Sequence, residues 1–417
     1  MFKFINYIKL LVALNFVSNV LTLEVCASDI TSLQVENEID VRQNSVTLKG
    51  YYNSIDQDDE YYQFKLVMRH EKGQGLPKDE TKVFKWYKEV ADQGHVMAQI
   101  KLAHMYYMGQ GIKQSHKEAF DWYLKAANQG SAFAQNNIGA MYKNGEGVEQ
   151  NYTQALKWFQ KSADQNDKNS QYNIGTLYYL GQGVIQDYAK AFFWYEKAAQ
   201  QGDKKAQNQI GVMYLEGLGV AQDYNEAFIW FGRAADQKCA KAQSNLGYMY
   251  EYSKGVIQDY EKALKWYYDA ANQGDATAQY NVGNFHHFGR GITQDYTKAL
   301  KWYQKSADQG DQKAQNNLGI MYKNGTGVAQ DYTKAFEWFL KAAEQGNEIG
   351  QYNLAILYWY GQGTVQNDLQ ALICLQKADE LGHIKAKEIL KGLNEIRHES
   401  SQKIDFKSIY SIIYHEK

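Results

Sequence analysis

The chain has 417 residues, a formal net charge of −2, one proline, 34 glycines and 34 tyrosines. With no run of like charges it lacks the basic footprint that nucleic acid requires. One proline among so many glycines suits short helices separated by glycine turns.

Taken in chain order, the first element is an export signal. Lys3 and Lys9 precede "LLVALNFVSNVLTL", and "VCA" offers small residues before a cut after Ala27. Residues 1–27 are therefore expected to leave as a signal peptide. The apolar stretch, broken by Asn15, Ser18 and Asn19, is too short to span a bilayer. The mature chain is expected to carry no integral membrane segment. It would be periplasmic or secreted in a bacterium, and lumenal in the secretory pathway of a eukaryote. Residues 28–61, with "VENEID" and "DQDDE", read as a flexible acidic lead-in. The remaining cysteines, Cys239 and Cys374, stand 135 residues apart. That separation, nearly four copies of the repeat described next, predicts no disulfide.

From about 62 to 393 the chain repeats itself. Trp86, Trp122, Trp158, Trp194, Trp230, Trp266, Trp302 and Trp338 recur every 36 residues, and Cys374 takes the next slot. No insertion breaks the phase. Each copy predicts two helices. In the first, Ala314, Leu318, Met321 and Tyr322 make one apolar stripe on a helical period. A Gly-x-Gly-Val turn follows. The second helix begins at Asp79, Ser115, Asn151, Asp187, Asp223, Asp259, Asp295, Asp331 or Asn367, all strong N-cap residues. It ends before glycine at 94, 130, 202, 274, 310, 346 and 382. Asn166 substitutes acceptably for that glycine, whereas Lys238 predicts local strain or fraying beside Cys239. Alanines such as Ala227 and Ala335 let helices approach closely, and the tryptophans are expected to fill the space between them. The array is expected to comprise eight full repeats and a terminal half. Residues 394–417, with Phe406, Ile409, Tyr410 and Ile413 at helical spacing, are expected to form a C-terminal capping helix or tail.

These words, "AQ-x-x-LG-x-MY-x-x-G-x-GV-x-QDY-x-KA-x-x-W-x-x-KAA-x-QG", closely resemble the Sel-1-like repeat family. The resemblance implies an all-α fold, an α/α solenoid of tandem 36-residue helix-turn-helix repeats, wound as a right-handed superhelix related to tetratricopeptide arrays. It also implies scaffold or adaptor work on other proteins, with the first helices on the inner curve. A cysteine-rich branch of the family carries a disulfide in each repeat and is described as β-lactamase-like. This chain lacks those cysteine pairs.

Candidate chemistry is sparse. Ser400 and Lys403 have the Ser-x-x-Lys spacing of penicillin-recognising enzymes, without the Lys-Thr-Gly or Ser-Asp-Asn partner motif. His286 and His287 point about 100° apart on a helix and have no third ligand at suitable spacing, so no metal is expected. No phosphate-binding motif accompanies the glycine turns, and no cofactor is expected. The stronger signal is where the copies differ. Three phases of the first helix vary freely, one of them running Tyr107, Lys143, Tyr179, Leu215, Glu251, His287, Lys323 and Trp359. From these phases the expected protein-binding residues are Tyr172, Tyr179, Asn208, Tyr248, Tyr280, Asn284, Asn316, Tyr352 and Trp359. Aromatic anchors beside adaptable amides suit a protein or peptide partner. The expected function is an exported, non-enzymatic scaffold. A β-lactamase-like or peptidoglycan-acting enzyme of the cell envelope is the alternative, disfavoured by the absent catalytic motifs.

Overall fold

A computed structural model describes residues 79–399 and, before them, Met68 alone. The signal peptide, the acidic lead-in, Ser400, Lys403 and the apolar positions of the tail lie outside the described residues. Two compact units divide between Lys125 and Ala126. In the first, α1 (Glu80–Asp92) packs on α2 (Val96–Met108), Phe84 meeting Tyr106 edge to face at 5.2 Å, and α3 (His116–Asn128) begins.

The second unit holds α4 (Ala132–Asn144), α5 (Tyr152–Ala163), α6 (Lys168–Leu180), α7 (Tyr188–Gln200), α8 (Lys204–Glu216) and α9 (Tyr224–Asp236). It continues with α10 (Ala240–Glu251), α11 (Tyr260–Asn272), α12 (Ala276–Phe288), α13 (Tyr296–Asp308) and α14 (Gln312–Asn324). It closes with α15 (Tyr332–Glu344), α16 (Glu348–Tyr360), α17 (Asp368–Glu380) and α18 (Ile384–Glu399). The described residues contain no strand. In this unit each first helix packs on the second helix after it, and that one on the first helix of the next repeat. This is an α-solenoid of tandem repeats.

Local signals place the helix ends. Asp187 Oδ1 accepts from the Lys190 amide at 2.9 Å, and the other expected caps act alike, Ser115 included. A second cap series governs the first helices, which therefore start two residues before the Ala-Gln pair. His95, Ser131, Asp167, Asp203, Asp275, Asp311, Asn347 and His383 each accept from an amide three residues on. Cys239 occupies the same slot with no side-chain cap bond. The strain expected next to it is present, since Lys238 stands at φ 57°. No fraying accompanies it, as α9 keeps the 13 residues usual here.

The tryptophans do not fill the core as expected. Trp122 is buried, but Trp158, Trp194, Trp230, Trp266, Trp302 and Trp338 are half-buried. Most lie beneath a cation one turn on, such as Lys161 at 4.0 Å from the Trp158 ring centroid and Arg233 at 4.4 Å from that of Trp230. The core belongs to the next residue along. Phe159, Tyr195, Phe231, Tyr267, Tyr303 and Phe339 are fully buried. Each ring lies on the glycine of the first helix in its own repeat. A Cβ on Gly211 would stand 2.6 Å from the Phe231 ring, and one on Gly247 2.7 Å from that of Tyr267. Adjacent residues differ by about 100° in direction, so only one of the pair faces the partner helix.

Buried glutamines stitch the repeats together. Gln315 donates to the Ala307 carbonyl of the preceding repeat at 3.2 Å and accepts from Gln345 of its own at 2.8 Å. The arrangement recurs at Gln207 and Gln279. It satisfies buried amides while holding neighbouring helices in register.

Phe231→Ala is expected to cost about 3–5 kcal/mol, as large aromatic truncations in packed interiors do, and Trp230→Ala less than half as much. Urea unfolding followed by circular dichroism compares them, and equal losses would restore the tryptophans to the core.

Candidate functional site

The residues expected to bind a partner divide into three groups. Asn208 and Asn316 are buried, and their carbonyl oxygens accept from Asn245 and Asn353 of the next repeat, both at 3.0 Å. They tie first helix to first helix and are not free for a ligand. Trp359, only 2% exposed, belongs to the core of the last repeats. Burial removes these three from the expected contact surface. Tyr172, Tyr179, Tyr280 and Tyr352 are half-buried against their own repeats or the next. Tyr172 and Tyr280 lean on the core rings Tyr195 and Tyr303 at 5.4 and 5.8 Å, and Tyr179 meets Tyr188 at 5.3 Å. Tyr352 stacks on His383 at 4.4 Å. Asn284, also half-buried, accepts from the Tyr303 hydroxyl at 2.7 Å. Only Tyr248 is exposed, at 37%.

Tyr248 opens onto a cluster that the varying phases revealed only in part. Its ring lies 4.8 Å from that of Tyr252, which is 51% exposed. In the following repeat Phe288 is 58% exposed, and the Arg290 guanidinium sits 5.3 Å from its centroid. Arg290 also pairs with Glu251, the residue before Tyr252, joining the two aromatic positions into one surface.

Beneath that surface Glu251 is 5% exposed. One carboxylate oxygen pairs with Arg290, and the other accepts from the Tyr267 hydroxyl at 2.8 Å. Burial, reinforced by the Glu251 charge, pushes the Tyr267 phenol far above its ordinary value, so it remains a donor. The buried charge is thus satisfied on both oxygens, which is the condition for tolerating it. A visible sign exists in the sequence. Residues 251–255 read "EYSKG", where the copy at 323–327 reads "KNGTG".

His286 fills a slot held by tyrosine in most copies, and its Nε2 stands 2.6 Å from the Tyr268 hydroxyl. His287 lies among Phe288, Tyr296 and Tyr303. The Nδ1 atoms of both histidines are buried without a hydrogen-bond partner. Among the described residues no group of three or more His, Cys, Asp or Glu side chains is placed to hold a metal ion. Nor is any described helix long and apolar enough to cross a membrane. Cys239 and Cys374 are free thiols.

Comparison with known proteins agrees with this architecture. The model of the Sel1 repeat matches nine consecutive segments, 61–95, 96–131, 132–167, 168–203, 204–239, 240–275, 276–311, 312–347 and 349–383. A protective antigen present in uropathogenic Escherichia coli strains, displaying an SLR fold, is similar at 32% identity over 79% of each chain, with a TM-score of 0.59. A Sel1 repeat protein from Oxalobacter formigenes is similar at 32% identity over 74% of this chain and 90% of its own, with a TM-score of 0.57. No curated protein matches the chain.

Burial holds the His286 and His287 imidazoles below their ordinary value; Lys298 pushes His286 further down while Asp295 opposes. Their unfolded counterparts take up protons from about pH 6.5 downward, so the neutral pair stabilises the fold above that value and loses its contribution as pH falls. The melting temperature is expected to fall between pH 7.5 and pH 5. His286→Tyr with His287→Tyr should flatten much of that slope, and an unchanged slope in differential scanning calorimetry would assign it elsewhere.

Proposed function

The chain belongs to the Sel1 repeat family, and from that premise we propose that it is an exported, non-catalytic scaffold that binds another protein through its first helices. Sel1 repeat proteins are generally protein-interaction scaffolds. The observation that carries the reading here is the exposed trio Tyr248, Tyr252 and Phe288, bridged by Arg290. Aromatic rings and arginine are the side chains that most often dominate binding energy at protein interfaces. Tyrosine also offers contact area with few rotatable bonds to immobilise. The half-buried Tyr172, Tyr179, Tyr280 and Tyr352 extend the same set of first helices and can present ring edges without leaving their core contacts. Export rests on the charged start and the "VCA" site before Ser28.

Two measurements test the proposal. With a partner identified by affinity capture and purified, Tyr248→Ser, Tyr252→Ser and Phe288→Ser together should weaken binding tenfold or more, about 1.4 kcal/mol. Helicity and melting temperature should stay near those of the parent. Unchanged affinity would move the recognition surface off these repeats. Intact-mass analysis of protein from its native host should show a chain beginning near Ser28, and a full-length mass would remove export from the reading.

A further inference from the structure

The junction between α9 and α10 combines three departures from the rules that most junctions of the second unit keep. Second helices are otherwise followed by glycine in a left-handed conformation, or by Asn166, but α9 is followed by Lys238 at φ 57°. Side chains other than glycine and asparagine adopt that region at a cost. Cys239 gives α10 no side-chain cap bond. The glutamine-to-carbonyl bond is also missing, as it is at Gln171, which donates to the Asn166 side chain instead, and at Lys387, which fills the glutamine slot of α18. Gln99, Gln135, Gln207, Gln279, Gln315 and Gln351 each donate to a carbonyl of the preceding second helix. Among the described residues Gln243 makes no such bond across to α9; it accepts from Gln273 on its own side, at 2.6 Å. At the other end of α10, Ser253 stands at φ 55° where other first helices are closed by left-handed glycine, and the helix has 12 residues instead of 13. Apolar packing across the junction is intact, with Phe231, Ala234 and Ala235 clustered against Ala242, Leu246 and Met249. What is absent is the glutamine-to-carbonyl bond, the α10 cap and the glycine. The backbone bonds of the turn remain, and Asn245 to Asn208 at 3.0 Å and Lys254 to the Tyr224 hydroxyl at 3.2 Å cross the same junction.

The opposite side of α10 is tied with unusual strength. Glu251, its last residue, accepts from Tyr267 on α11 and pairs with Arg290 in the turn after α12. Its backbone carbonyl takes the bond from Gln258, at 2.8 Å, that the equivalent carbonyl takes in other repeats. One buried carboxylate thereby binds α10, α11 and the next repeat into a block.

We propose that the second unit opens at the junction between α9 and α10, with Glu251 keeping α10 on the C-terminal side of the parting. In a solenoid stabilised by nearest-neighbour contacts, the weakest interface sets where the array divides into separately opening blocks. The array is then a two-block scaffold, with Tyr248, Tyr252 and Phe288 on the first repeats of the C-terminal block.

Hydrogen exchange on the full chain, read by mass spectrometry, tests it. Amides in 240–246 should exchange tenfold or more faster than their equivalents in 204–210 and 276–282. Lys238→Gly with Cys239→Asp restores the glycine and the cap, and should slow that exchange by a similar factor. Glu251→Gln should extend fast exchange through the rest of α10 while leaving α8 protected. Equal protection at all three segments, or no response to the restoring pair, would overturn the proposal. Uniform loss of protection in Glu251→Gln would overturn the role given to Glu251.

Discussion

The six central repeats depend on a flat ring lying on a helix that has no side chain beneath it. Phe231 on Gly211 and Tyr267 on Gly247 bring the two helices of a repeat closer than any Cβ allows. The contact joins residue i to residue i+20, so it cannot form unless the turn between the helices has a fixed length. That constraint accounts for the absence of insertions across the array. It also accounts for the Gly-x-Gly turn, whose first glycine closes the helix in a conformation that most side chains resist. The ring fixes distance within a repeat, and the glutamine stitch fixes register between repeats. Apolar burial supplies the bulk of the driving force, but it is non-directional and could not by itself choose one register.

Much of this was legible in the sequence because it is local. N-caps, glycine stops and the two-helix period are decided within four or five residues, and they appear where the spacing put them. The tryptophans misled for a physical reason. They are nearly invariant between copies, whereas the neighbouring ring slot drifts among Tyr, Phe and Leu. A buried slot tolerates that drift when shape and volume are roughly kept, so sameness between copies marked the half-buried position and variation marked the core. The tryptophan is held instead by a cation above it and the helix surface below. Sel1 repeats here therefore carry two aromatic series, one facing inward and one along the surface.

The candidate site was less legible because its residues act across repeats. Asn208 and Asn316 vary between copies as a contact surface would, yet each is used to hold the next first helix 37 residues on. Glu251 stood in a varying phase, but nothing local says that it is buried or that Arg290 will reach it. Tyr252 and Phe288 lie one position beyond the phases that varied most visibly. They are exposed because each first helix ends there and the chain turns away. The surface is thus made by helix ends rather than by the middle of a helical face, and a reading based on helical faces passes over it.

The fixed step between contacts has a consequence for how such a chain can change over generations. Ring to glycine, glutamine to glutamine and glutamine to carbonyl all link positions within a repeat or between adjacent ones. Removing or duplicating a whole 36-residue copy rejoins identical partners, so the number of copies can change by unequal recombination without creating a new interface. Gain or loss of a single residue within a copy has no such refuge. That interchangeability fails at the pair of repeats joined by Glu251 and Arg290, since an excision falling between those two residues would leave a charge buried without its mate. Length is free elsewhere in the array, and this pair is its fixed landmark.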